Sequence, residues 1–203
     1  MKRAAIAGFA AGAAMMIGAA LGAVSGNDPK PVTEGDAAIM NPMIGGQAML
    51  PDRDIMDNIT ASPMHGRLVA ALKKTGVAGA LKANGQFTIF APTDAAFAAA
   101  GAQSKSALAR QMSYLIVPGK YDSVALLRVI NEAGGEAKLR TAQGGVLVAR
   151  MNGPTNIQVM DEKGNTANIA IYDVRDKNGI IHVVDNLIEP AGPARQVAQA
   201  LVR

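Results

Sequence analysis

The chain has 203 residues, 49% of them hydrophobic and 18% charged, which is room for one domain of ordinary size with appendages. Its formal charge of +4, about +2 once Lys2 and Arg3 of the leader are set aside, is too weak to draw it to nucleic acid or acidic membranes. The absence of cysteine excludes disulfides, thiolate metal sites, a thiol nucleophile and a lipidated Cys.

Lys2-Arg3 and the uncharged run Ala4–Val24 have the basic start and apolar body of an export leader, and Ala23-Val24-Ser25 has the small-x-small form of a cleavage site. Residues 1–25 are therefore read as a signal peptide. The run is also long enough for a retained anchor, though its Ala and Gly make a poor span. Both readings place the domain outside the cytoplasm, and an uncleaved leader is its only expected hold on a membrane. Residues 26–52, with Asp28-Pro29-Lys30-Pro31, Asn41-Pro42 and Gly45-Gly46, read as a linker. The second half of that linker carries Met40, Met43, Ile44, Met49 and Leu50, too apolar for a free tether, and is expected to strap onto the domain. Clustered methionines can hold copper(I), but filling irregular gaps is their commoner use.

A domain is expected over residues 53–190. Asp54 to Ile59 reads as a short helix with Ile55 and Ile59 on one face. The sequon-like Asn58-Ile59-Thr60 is set aside because the leader looks bacterial. Ser62-Pro63 has the form of a cap and first helical proline, followed by an apolar face of Leu68, Val69 and Leu72 that Gly76 ends. Val77 to Ala83 adds a turn. Phe87 to Ala91 is a short apolar run expected to form an interior strand, stopped by Pro92, with Thr93 and Asp94 offering side-chain oxygens as helix caps. Phe87, Phe90 and Phe97 make this stretch the expected anchor of the core. Ser104 or Ser106 can cap a helix through Leu108 and Met112. Ser123 can cap another that points Leu126, Leu127 and Ile130 inward and closes at Gly134-Gly135. Five short strands then follow: Lys138 to Thr141, Val146 to Arg150, Ile157 to Met160, Ala167 to Asp173 and Ile180 to Asp185. Asn178-Gly179 predicts a type I′ hairpin before the last of them. Residues 191–203 read as a tail with a short helix bearing Val197 and Leu201.

Thr88-Ile89-Phe90-Ala91-Pro92-Thr93-Asp94-Ala95-Ala96-Phe97 resembles the first signature of the fasciclin domain family, and Asn178-Gly179-Ile180-Ile181-His182-Val183-Val184-Asp185 resembles the second. The two stand in the family's order, about a domain apart. Tyr114-Leu115-Ile116-Val117-Pro118-Gly119 is similar to the family's Tyr-His-aliphatic-aliphatic-Pro-Gly segment, with Leu115 where the histidine is usual. The resemblance implies an α+β fold, a β-wedge of about seven short strands with helices packed on it. It also implies an exported, non-enzymatic adhesion module without a cofactor, whose partner is a protein or matrix component at the cell surface. In animal members the segment matched by Tyr114, Leu115 and Ile116 is implicated in receptor contact, and an acidic-aliphatic pair matched by Asp173-Val174 is presented to integrins. Within the signatures, Phe87, Phe90, Pro92, Thr93, Asp94, Phe97, Asn178, Gly179 and His182 are structural.

The residues themselves nominate no chemistry. His182 shares a strand face with Ile180 and Val184 and reads as a hydrogen-bonded core residue, while His65, at a helix start beside Gly66, reads as surface. With two histidines and no His-x-x-x-His spacing, a dedicated zinc site is not expected. Asp94 is explained by capping, and there is no nucleophile elbow, phosphate loop, dinucleotide fingerprint or EF-hand loop. Tyr114 to Val117 also reads as a buried strand, and Asp173 as a strand end satisfied locally. A carrier for an apolar small molecule, a lipid or pigment, is the second expectation, with the methionine-bearing segment covering its groove.

Overall fold

The structure, a computed structural model, describes residues 42–82, 85–98 and 103–191. The leader, most of the linker, Gly101 and the expected tail helix lie outside these residues. The chain opens on a small hairpin of β1 (Met43–Ile44) and β2 (Gln47–Ala48), turned by Gly45 and Gly46 with φ of 58° and 81°. Helices α1 (Ile55–Ala61), α2 (Gly66–Thr75) and α3 (Val77–Leu81) follow, then strand β3 (Phe87–Pro92), α4 (Asp94–Ala98), α5 (Lys105–Tyr114), β4 (Ile116–Pro118) and α6 (Ser123–Glu132). The remainder is strand: β5 (Glu136–Arg140), β6 (Val146–Asn152), β7 (Asn156–Met160), β8 (Thr166–Asp176) and β9 (Gly179–Val184).

Seven strands form one sheet in the order β4-β3-β9-β8-β7-β6-β5. The β3–β9 pair is parallel, which makes the two signature stretches neighbours, Phe87 opposite Gly179 and Phe90 opposite His182. The other pairs in the sheet are antiparallel. The Ala142 amide, just past β5, donates to the Ile116 carbonyl of β4 at 2.7 Å, so the two ends of the sheet nearly meet. Both faces of β3 and β9 are covered, and every residue of β9 is buried. That is why these strands read as unbroken apolar runs. Strand β8 shifts register on either side of Ile171, and Asp173 has a φ of 58°. Such bulges bend the strand and tighten its twist.

Local signals mostly act as their chemistry dictates. Asp54 caps α1, its carboxylate accepting from the Asp57 amide at 3.0 Å, and Ser104 caps α5 through the Ala107 amide at 3.2 Å. Gly76 ends α2 with a φ of 80°. Several expectations are corrected. Helix α2 starts at Gly66, not at Pro63, and Ser62 closes α1 instead. The cap of α6 is Asp122, one residue before Ser123, accepting from the Ala125 amide at 2.8 Å. Leu126 and Ile130 point inward, but Leu127 is 37% exposed, because the helix packs on β5 and β6 by a narrower stripe.

The Asn178-Gly179 hairpin is also not what the dipeptide predicts. The two residues between the paired Asp176 and Gly179 are Lys177 and Asn178, and neither has a positive φ. Gly179 is already in β9, facing the Phe87 backbone. The Asn178 side chain accepts from the Ile55 amide at 2.9 Å and donates to the Leu81 carbonyl at 2.6 Å, tying the start of α1 to the end of α3. Long-range approach, not turn geometry, selects both residues.

Candidate functional site

His182 is fully buried on β9, stacked on Phe90 with ring centroids 5.7 Å apart and edge-on to Tyr172 at 6.0 Å. The Asp173 amide donates to its Nδ1 at 3.4 Å, so Nε2 carries the hydrogen and donates to the Tyr121 carbonyl at 2.7 Å. Burial lowers its pKa, against smaller upward pulls from the Tyr121 carbonyl, Asp173 and Asp122. The result is a neutral ring with both nitrogens engaged, which leaves it no free lone pair for a metal or a proton transfer.

The bulge that presents the Asp173 amide to His182 also turns its carboxylate to α6, where it accepts from the Ser123 amide at 2.7 Å and the Ser123 hydroxyl at 2.5 Å. Val174 is fully buried. The acidic-aliphatic pair therefore ties β8 to a helix start, with its aliphatic half inside the core. Tyr114, Leu115 and Ile116 are 0%, 0% and 3% exposed. Tyr114 ends α5 and is not in a strand; its hydroxyl donates to the Val146 carbonyl at 2.7 Å and accepts from the Glu162 amide at 3.2 Å. Burial raises its pKa. Leu115 passes its carbonyl to the Phe90 amide at 2.9 Å. An imidazole at that position would have its polar atoms sealed from water, so Leu115→His is expected to cost about 2 kcal/mol of unfolding free energy in urea titration.

Asp94 caps a helix, but not its own. Its carboxylate oxygens accept from the Gly66 and Arg67 amides at 3.2 and 2.7 Å, the first turn of α2, while Thr93 serves α4 through the Ala96 amide at 3.3 Å. Asp94→Ala is expected to lower stability by ~1–2 kcal/mol, read by the same titration. Beside it, His65 corrects its surface assignment: it is fully buried, with Nδ1 at 2.7 Å from the Ser62 hydroxyl. Its Nε2 has no hydrogen-bond partner. Burial lowers its pKa against smaller pulls from the Ala91 backbone and Asp94.

Three further polar groups escaped sequence reasoning. Asn58, buried on the apolar face of α1, grips Leu50 by both backbone atoms, accepting from its amide at 3.0 Å and donating to its carbonyl at 2.7 Å. The same amide group donates to Asp176 Oδ1 at 2.5 Å. A polar residue three positions after Ile55 on that face is the one sequence signal that could have found it. Its burial also closes the sequon to a glycan. Asp176 Oδ2 is buried without a partner, and burial raises the carboxyl to about 7, against the Asn58 hydrogen bond. Gln111 is 2% exposed, neither amide atom is partnered, and it adjoins a cavity of about 160 Å³ bordered by Ala107, Arg110, Lys163 and Glu189. That volume is below the roughly 300 Å³ at which small-molecule sites begin.

Among the described residues no group of three or more His, Cys, Asp or Glu could hold a metal ion. No described helix is long and apolar enough to cross a membrane.

A family model described as "Fasciclin domain" matches residues 63–190. The chain is 34% identical over 134 residues to Protein sll1483 of Synechocystis sp. (strain ATCC 27184 / PCC 6803 / Kazusa), a match covering 61% of this chain and 66% of that one. It is 26% identical over 137 residues to the Transforming growth factor-beta-induced protein ig-h3 of Sus scrofa, covering 67% of this chain and 19% of that one. In three dimensions it is similar to a FAS1 domain pair from the insect cell adhesion molecule Fasciclin I, with a TM-score of 0.55 at 20% identity, covering 72% of this chain and 57% of that one. The chain thus spans just under two thirds of the first relative and a smaller share of the other two.

Proposed function

The chain belongs to the fasciclin domain family, and from that premise we propose that it is an exported, non-enzymatic adhesion module of the cell envelope or extracellular matrix. The observation that carries this reading is the commitment of the reactive groups in both signatures, and of Asp173 between them, to the fold. Asp94 holds two amides of α2, Asp173 holds the start of α6, and His182 is neutral and doubly hydrogen-bonded. Reaction chemistry needs such groups poised in a cleft with a free valence. What these leave for function is surface complementarity, with affinity from a few desolvated apolar anchors and little from net charge. The relative named for adhesion, the insect Fasciclin I, shares the fold and supports the same class of role.

The test has two parts. Protein isolated from its native compartment is expected to have a mass lacking the leader, and beads coated with it are expected to bind envelope or matrix preparations from the source cells. Failure of the beads to bind would sink the adhesion reading. A stoichiometric apolar compound in the organic extract would replace it with the carrier reading.

A further inference from the structure

The segment Met43–Leu50 is held as a bound peptide is held. Ile44 and Met49, 1% and 2% exposed, are its apolar anchors on either side of the Gly45-Gly46 turn. Its last residue, Leu50, is gripped through backbone atoms alone by Asn58, which reads one N–H and one C=O as a neighbouring strand would. Asp176 stands behind Asn58 and fixes which way its amide faces. The Gly45 turn rests against Pro63 and Met64, where a Cβ would come within 2.7 and 2.9 Å of their side chains. Of the five large hydrophobics exposed among the described residues, Met43, Leu50 and Met64 lie on this strap or where it rests. Clustering of that kind marks a contact surface.

We propose that the groove holding Met43–Leu50 is a peptide-recognition site that accepts the same segment from a second copy of the chain, so that two molecules pair by exchanging straps. The occupant is identified by the structure itself, since the groove already contains it. Only Pro51–Asp54 joins the strap to α1, and this joint is exposed apart from the half-buried Asp54. It is closed by one turn bond, from the Arg53 amide to the Leu50 carbonyl at 3.2 Å, and its end is fixed by the Lys177 amide on the Arg53 carbonyl at 2.8 Å. Opening the joint lets the strap reach a neighbour while α1 stays in place. Strap and groove make the same contacts within one molecule or between two, so the balance depends on concentration. A short tether sets the internal competitor at about millimolar, which dilute protein does not match and a densely coated surface does. Reciprocal exchange is two-fold symmetric and closes at the dimer. The inference names a partner for the adhesion reading and rests on it for its use, but not for its test.

The chain's lack of cysteine makes that test clean. Full-length Gly45→Cys and Met64→Cys proteins are mixed at rising concentration under mild oxidation, with Gly45→Cys plus Lys138→Cys, an exposed position on β5, as the collision control. Exchange predicts a Gly45–Met64 heterodimer about tenfold above the control, its share growing with concentration. Because the φ of 58° at Gly45 strains a cysteine, the double variant Gly45→Cys/Met64→Cys serves as the folding check by closing its internal disulfide. Light scattering of the unsubstituted chain supplies a second reading, with a dimer expected as the concentration approaches millimolar. Equal yields in test and control, or a monomer throughout, overturn the proposal. Binding of the coated beads to envelope or matrix preparations is scored separately: exchange without binding sinks adhesion and leaves the strap site, and binding without exchange does the reverse.

Discussion

Gly179→Ala is expected to cost at least about 4 kcal/mol and to leave little folded protein at 37 °C. A Cβ at this position would lie 1.9 Å from the Phe87 carbonyl oxygen and 2.8 Å from Ile55 Cδ1. The first contact is with backbone, which cannot rotate away as a side chain would. Phe87 and Gly179 open the parallel β3–β9 ladder, whose register continues through five more pairs to Pro92 and Val184. Relief therefore means parting the two strands that join the halves of the sheet. Gly46 is the internal comparison, with a φ of 81° but nothing within 4 Å of its Cβ. There alanine meets only the left-handed backbone penalty, ~1–2 kcal/mol. Urea unfolding of both variants separates the causes. A Gly179→Ala loss no larger than the Gly46→Ala loss would show that the strands can part.

Asp176→Asn is expected to stabilise the protein by an amount that grows as pH rises from about 4 to 7. The folded carboxyl, raised by burial from 3.8 to about 7, binds its proton more tightly than the unfolded chain does. Asp54 adds to the shift, while the Asn58 hydrogen bond and Lys120 oppose it. Stability from this group is fully present below about pH 4, falls as pH rises towards 7 and stays reduced above it. Roughly three units at about 1.4 kcal/mol each set the loss at ~4 kcal/mol. Asparagine keeps the oxygen that accepts from Asn58 and carries no charge to bury. The gain should be near zero at pH 4 and approach ~4 kcal/mol at pH 8, read as Tm against pH. His65 and His182 act in the opposite sense. Their lowered folded pKa values mean that stability is lost as pH falls below 6.5. With Asp176 neutralised, that acid-side loss should stand alone. An equal gain at pH 4 and pH 8 would assign the effect to packing, not to charge.

Much of the scaffold was legible because it is written in short-range chemistry. The unbroken run Phe87 to Ala91 declared a strand covered on both faces, and Ser104, Gly76 and the five C-terminal runs fell close to the observed element ends. What escaped depends on partners far along the chain. Asp94 caps a helix 27 and 28 residues before it, and nothing around it distinguishes that from capping its own. His65 sits between Met64 and Gly66, a sequence context that looks solvated, yet it is fully buried with Nδ1 against the Ser62 hydroxyl. Asp176 drew no notice, since an aspartate at a strand end beside Lys177 reads as surface; its burial follows from Asn58, 118 residues upstream. The Asn178-Gly179 dipeptide carried a true signal with the wrong cause, a glycine required by a neighbouring backbone and not by a turn.

The near-meeting of the two ends of the sheet governs how crowded copies of this molecule behave. A strand with free N–H and C=O groups is a template for fibril growth. Here the terminal strands are β4, three residues long and ending on Pro118, and β5, whose outward positions are Glu136, Lys138 and Arg140. Pro118 has no amide hydrogen to offer, charges line the other rim, and Ala142 to Ile116 draws the two rims together. Layered densely on a surface, copies of this seven-stranded sheet offer one another poor templates for stacking into amyloid at either rim.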